Sequence, residues 1–231
     1  NNYANYQVIE QMNFDKIFVV NHSASSRLNA QKKGFEYIEF IKKILFEALS
    51  FKHHNILVIG AGGFTLTAEK SHNNHVTYID IDPEIKQIAE STFLKEPIKG
   101  QFKGVDARAF FKQHQEKWDV IVSDAYSNQT SIPPMLLTKE YFLALKQHLT
   151  PGGYMIANMI VDPLFRDKYS QTVDNTIRAV FPFCRSIPLT YNDKMANVIY
   201  ICPNQQISTQ SIYTDDLTTS TTDFFNLQNS Q

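Results

Sequence analysis

The sequence predicts an α/β fold, a mostly parallel seven-stranded sheet with helices on both faces, preceded by a small N-terminal β-hairpin. Three observations predict it. Short apolar runs such as Ile56-Leu57-Val58-Ile59 lack the polar alternation of a half-exposed strand, so they read as strands buried on both faces. These runs alternate with stretches of helical periodicity, and several of them end in glycine or aspartate.

In order along the chain, Tyr6 to Met12 and Lys16 to Asn21 read as two strands around an Asn13-Phe14-Asp15 turn. The polar stretch from His22 to Lys33 reads as loop. Phe35, Ile38, Ile41, Leu45 and Leu49 share one helical face. A strand at residues 56–59 leads into Gly60-Ala61-Gly62-Gly63, then a stretch of helical character from Thr65 to Lys70, then a strand from His75 to Ile79 ending at Asp80. Asp82 and Pro83 suit the cap and first turn of a helix running to Phe93. Gly100 to Val105 is a strand ending at Asp106, followed by a helix from Ala107 to Gln113. Trp118 to Val122 is a strand leading to Asp124. A long loop carrying Pro133-Pro134 follows, and its position suits a lid. A helix from Lys139 to Leu149 should stop at Pro151-Gly152-Gly153. A strand (Tyr154 to Val161), a helix (Leu164 to Val180) and two closing strands (Ser186 to Thr190, Asn197 to Ile201) complete the sheet. The expected division is residues 1–33 (hairpin region and loop), 34–203 (nucleoside-binding catalytic domain) and 204–231 (polar tail, loosely ordered).

Strand, glycine turn, helix, strand and acid is the layout that holds an adenosine-type ligand: glycines admit the ligand close to backbone, and an acid about 20 residues on can hydrogen-bond a ribose diol. A dinucleotide fingerprint needs a further glycine where this chain has Thr65, so a nucleoside suits Gly60, Gly62 and Gly63 better than a pyrophosphate. The same glycines would also serve a plain tight turn. In such sheets ligands sit beyond the carboxyl ends of the strands, where Asp80, Asp106 and Asp124 converge. Asp80 is the expected ribose ligand. Asp106-Ala107 is placed to meet adenine, although Asp106 also suits a helix N-cap. Asp124 ends the central strand and is the leading candidate for catalysis, with an ordinary rim-facing loop residue as the alternative. Tyr126 could stack on a ligand or pack under the lid.

Composition narrows the classes. A chain of 231 residues, 43% hydrophobic, fits one domain with a sizeable core. A formal charge of −1 gives no reason to expect nucleic acid or an anionic membrane as partner. No apolar run approaches the ~18 residues of a membrane span. The chain starts at Asn1 rather than Met, which fits a processed or trimmed chain with an upstream targeting or membrane segment removed; the expected compartment is the cytoplasm. Cys184 and Cys202 lack metal-ligand spacing, no metal is expected, and either free thiols or a disulfide fit them.

The motifs VIGAGGFTL, YIDIDPEI, GVDARAFF, WDVIVSDAY and LLTKEYFLALKQHLTPGG, in this order, resemble the polyamine aminopropyltransferase (spermidine synthase) family, in its divergent spermidine-synthase-like branch. The resemblance runs from about Tyr6 to Cys202. It implies an S-adenosylmethionine-methyltransferase-like Rossmann fold, a decarboxylated S-adenosylmethionine donor, a small amine acceptor attacking the carbon beside the sulfonium, and a homodimer. Asp124 then matches the first acid of the family's Asp-Ser-Ser-Asp signature, which orients and deprotonates the amine. Gly60, Gly62, Gly63, Asp80, Ile81, Asp106 and Ala107 form the expected donor site, and Tyr37, Tyr126 and Ser127 the substrate pocket. The chain departs from the family pattern where an acid of the glycine turn is replaced by Gly63, and where the second signature acid is Ser127. A glutamine expected after the hairpin has no clear match between Asn21 and Ser26. The missing acid at Gly63 motivates a runner-up, a small-molecule methyltransferase using intact S-adenosylmethionine, with room for the donor's carboxylate there. A non-catalytic nucleoside-binding homologue is the third reading.

Overall fold

The computed structural model describes residues 3–13, 15–126 and 132–205. The expected loosely ordered tail from residue 206 on, Phe14 of the Asn13-Phe14-Asp15 turn, and residues 127–131 of the expected lid, Ser127 among them, therefore lie outside the described residues. A seven-stranded sheet is ordered β6-β5-β4-β7-β8-β10-β9. Its parallel members are β4 (Asn55–Ile59), β5 (His75–Asp80), β6 (Gln101–Gly104), β7 (Trp118–Ser123) and β8 (Leu149–Val161). β10 (Ala196–Pro203) runs antiparallel to both β8 and β9 (Arg185–Pro188).

Because side chains alternate across a strand, the apolar runs feed two cores. Ile56 and Val58 join Val76, Tyr78, Val120 and Val122 beneath α1 (Glu36–Lys42) and α2 (Ile85–Ile88), each prolonged by a π-helical turn. Leu57 and Ile59 join Ile79, Ile121 and Met155 beneath α3 (Ala107–Gln113), α4 (Lys139–Gln147) and α5 (Lys168–Arg178). Helices thus cover both faces, as the uninterrupted apolar runs require.

Four expectations fail locally. The stretch Ser23–Leu28 is a strand, β3, not loop; it completes a three-stranded antiparallel sheet with β1 (Tyr6–Glu10) and β2 (Lys16–Val20). Its serines gave no hydrophobic signal, and it is held by pairing to β2 and by burial of Ser26 and Leu28. Thr65 to Lys70 forms turns rather than a helix. Phe64 takes φ +57°, and residues 64–68 are buried in succession, which an amphipathic helix does not allow. The Thr67 hydroxyl instead pairs with Tyr78 Oη at 2.9 Å. Third, Pro151-Gly152-Gly153 does not precede β8 but lies inside it, where Asn204 pairs with Gly152 and Gly153. The helix expected from Leu164 begins only at Lys168, because Asp162 accepts from the backbone N–H groups of Leu164 and Arg166 and holds the segment as a loop.

Cys184 and Cys202 form a disulfide across a sequence separation of 18 residues, both buried, tying the approach to β9 onto β10. Closing a loop of that length removes denatured-state entropy worth about 3 kcal/mol. A Cys202→Ser protein should therefore melt several degrees lower than the oxidised wild type, and reductant should lower only the wild type; identical melting curves would refute the bond as a stabiliser. Among the described residues no helix is long and apolar enough to cross a membrane.

Candidate active site

The glycine turn after β4 is locked between the Asp80 carboxylate and the backbone of Asp124. Gly60 takes φ +89°, and a Cβ there would lie 2.4 Å from the Asp124 carbonyl oxygen. Only glycine lets the β4 end pass so close to the β7 end. Backbone bonds complete the junction: Gly60 N–H donates to Ile79 O at 3.0 Å and Asp124 N–H to Ile59 O at 2.9 Å. One residue on, Ala61 N–H donates to Asp80 Oδ2 at 2.9 Å, while Asp80 Oδ1 accepts from Asp82 N–H at 3.0 Å. Burial raises the Asp80 carboxyl above its ordinary range, opposed by these backbone bonds.

Asp124 stands at the centre. Its Oδ1 accepts from Asn158 Nδ2 at 3.0 Å, and the Tyr37 hydroxyl donates to the same carboxylate. Burial nevertheless pushes its carboxyl up to about 6. Tyr37 arrives from α1, and burial followed by the Asp124 charge holds its phenol well above the ordinary range, so it stays a donor. A carboxylate held by two neutral donors, and a base at neutral pH, is equipped to orient and deprotonate an amine.

The other expected residues divide. Ile81 stands 58% exposed beside Asp80, an apolar side chain open to a ligand. Asp106 caps α3, its Oδ1 accepting from Ala109 N–H at 2.9 Å, and Ala107 is buried behind it. Tyr126 does not offer its hydroxyl to the groove: it donates to Asn158 O at 2.9 Å and accepts from Ile160 N–H at 3.0 Å, pinning the ring to β8. Ser127 lies outside the described residues. Gly63 offers no empty space, since a Cβ there would lie 2.4 Å from the Phe93 ring. The room invoked for a donor carboxylate at that position is filled by Phe93 and Ser26.

Asn158 was missed, although one amide inside the apolar run Met155-Ile156-Ala157-Asn158-Met159-Ile160 is a signal, since a buried polar group needs a partner. Its Nδ2 serves Asp124, and its buried Oδ1 has no hydrogen-bond partner among the described residues. Also missed was the link from the small sheet, where Tyr6 Oη donates to Asp82 Oδ2 at 2.5 Å. Two open clefts of about 620 and 450 Å³ lie elsewhere, around the amino-terminal ends of the strands, and share Lys99. That ammonium is engaged by Glu96 and the Ala68 carbonyl, so these clefts offer less chemistry than the rim.

Comparison with known proteins decides the family. A family model described as a spermine/spermidine synthase domain matches residues 34–211. The chain belongs to this family. A probable polyamine aminopropyl transferase of Bifidobacterium longum is 28% identical over 152 residues, 64% of this chain and 34% of that protein. A polyamine aminopropyltransferase of Vibrio vulnificus is 30% identical over 163 residues, 67% of this chain and 54% of that protein. The aligned regions thus span about a third to a half of these relatives. Among solved structures, a probable spermidine synthase from Corynebacterium glutamicum superposes with a TM-score of 0.73 at 19% identity, covering 90% of this chain and 80% of that one. Human methyltransferase-like protein 13, solved with SAH, gives 0.57 at 22% identity, covering 75% and 79%. At such identities the likeness is one of fold, and the spermidine synthase family fold is the methyltransferase-like one expected.

Proposed function

We propose that the chain is an aminopropyltransferase, moving the aminopropyl group of decarboxylated S-adenosylmethionine to a small amine. The observation that carries this reading is Asp124, whose backbone touches the glycine turn at the central strand end and whose carboxylate, with a raised pKa, is held by Tyr37 and Asn158. Asp80 takes the ribose diol, Ile81 covers one face of the adenine, and the Asp106-Ala107 segment meets its edge. The acceptor nitrogen attacks the carbon beside the sulfonium. The N–C bond forms, the C–S bond breaks, methylthioadenosine leaves, and Asp124 takes the proton of the new ammonium and passes it to water. A neutral amine is the nucleophile, so a base accepting its proton assists the step. A further spermidine synthase structure, solved with the transition-state analogue AdoDATO, shares the fold with a TM-score of 0.66 at 16% identity, covering 89% of this chain and 70% of that one.

A methyltransferase using intact S-adenosylmethionine is the second reading, favoured by the uncharged side chains of Ser25, Ser26 and Phe93 that lie nearest Gly62 and Gly63 among the described residues. The test is incubation with decarboxylated donor and a panel of diamines and polyamines, followed by mass spectrometry. Methylthioadenosine release matched by an aminopropyl adduct is the expected outcome. Methylated amine from intact donor, or binding without any turnover, would overturn it.

A further inference from the structure

The three-stranded sheet reaches the glycine turn through an irregularity in β3. Phe18 pairs with Ser26 and Val19 with Ala24, so Ser25 is an extra residue bulged out of the ladder. A bulge re-aims side chains: successive residues that would face opposite ways come to share one side. Here both hydroxyls converge on one glycine. A Cβ at Gly62 would lie 2.9 Å from Ser26 Oγ and 3.3 Å from Ser25 Oγ. Ser26 is buried and accepts from Gly63 N–H at 2.9 Å, buttressing the turn. Ser25 is half-buried, and two residues on along the strand Arg27 is anchored to the buried Asp15 at 2.9 Å.

The position of this pair matters because the glycine turn runs past the backbone of Asp124 and the carboxylate of Asp80. Gly60 abuts Asp124, Ala61 binds Asp80, and Gly62 lies under the serines. A nucleoside with its ribose on Asp80 and its reacting carbon at Asp124 lays its tail along Gly62. The atoms nearest the missing side chains of Gly62 and Gly63 belong to Ser25, Ser26 and Phe93; none is a carboxylate.

We propose that the β3 bulge reads the donor's tail, with Ser25 as its ligand contact. Being uncharged, it does not select an ammonium tail over a zwitterionic one. The inference rests on the nucleoside reading of the rim and deepens it: the donor site of this chain is charge-tolerant, and the choice between decarboxylated and intact S-adenosylmethionine is left to the acceptor side. A hydroxyl donates to a carboxylate and accepts from an ammonium, so it serves both tails.

Titration calorimetry of wild type, Ser25→Asp and Ser25→Ala against decarboxylated donor, intact donor and methylthioadenosine tests it. Wild type should bind the two donors within about tenfold of each other, the span of one charged hydrogen bond. Ser25→Asp, which adds a carboxylate beside Gly62, should shift the preference toward the decarboxylated donor by roughly 10- to 100-fold. Methylthioadenosine, which lacks the tail, should bind all three proteins alike. If Ser25→Asp melts early, Ser25→Ala decides: both donors should weaken several-fold while methylthioadenosine does not. A wild type preferring one donor by more than about 100-fold overturns the proposal, as does a folded Ser25→Asp with the wild-type preference. Failure of methylthioadenosine to bind wild type is a different result, since it overturns the nucleoside reading beneath the proposal.

Discussion

Asp124→Asn should lose turnover by roughly 10²–10⁴-fold, the range of a positioned general base, and should nevertheless melt above wild type near neutral pH. Burial raises this carboxyl to about 6, despite the hydrogen bonds from Asn158 and Tyr37. The native state therefore holds a proton that the unfolded chain, with an ordinary carboxyl near 3.8, has already released. Where the native state binds more protons, stability falls as pH rises, here from about 4 to about 6, and stays depressed above that. Each tenfold difference in acidity is worth about 1.4 kcal/mol, so the charge costs the native state up to about 3 kcal/mol near neutral pH. Asparagine keeps an oxygen for Asn158 and Tyr37 and removes that cost. The gain in melting temperature should vanish at about pH 4, where both proteins are neutral at this position. Wild-type kcat/KM should rise with pH through about 6, the limb that belongs to Asp124. Full turnover in the variant would end the assignment, and a melting difference independent of pH would show that the carboxylate is not strained.

How far the sequence discloses such a site depends on which force places each residue. The buried parallel strands are written in apolar runs, because both faces must leave water; Asp80 and Asp124 stand where such runs stop, and the fold carries them to one rim. The partners of Asp124 are less visible. Tyr37 belongs to a helix distant in sequence, and its hydroxyl meets the carboxylate only through packing of α1 on the sheet. Asn158 hides in an apolar strand as a single letter. Least legible is the bulge at Ser25, since neither serine carries a hydrophobic signal and a ladder slip depends on the partner strand. The turn from Thr65 to Lys70 misleads for the opposite reason: its residues suit a helix locally, and tertiary burial of Phe64, Leu66 and Thr67 overrides them.

Gly60→Ala should be among the most destabilising single substitutions available, at about 3–5 kcal/mol, and should disable the site in whatever fraction still folds. Two effects add. Alanine at φ +89° costs about 1–2 kcal/mol from conformation alone. The new methyl would also meet the Asp124 carbonyl oxygen at 2.4 Å, its carbonyl carbon at 2.8 Å and Ala125 Cα at 2.9 Å. All three are backbone atoms of the β7 end, so no side chain can swing away. Relief requires β4 and β7 to part, which strains the 2.9 Å bond from Asp124 N–H to Ile59 O and moves the carboxylate itself. Gly152→Ala separates the two effects. Gly152 also has a positive φ, +77°, but among the described residues nothing lies within 4 Å of its missing Cβ. That variant should lose only the conformational part, about 1 kcal/mol, and keep full turnover. Denaturant titrations of both, read with their rates, decide the matter. If the two variants were equally stable, the close approach of Gly60 to Asp124 would not be what holds the Asp124 carboxylate in place.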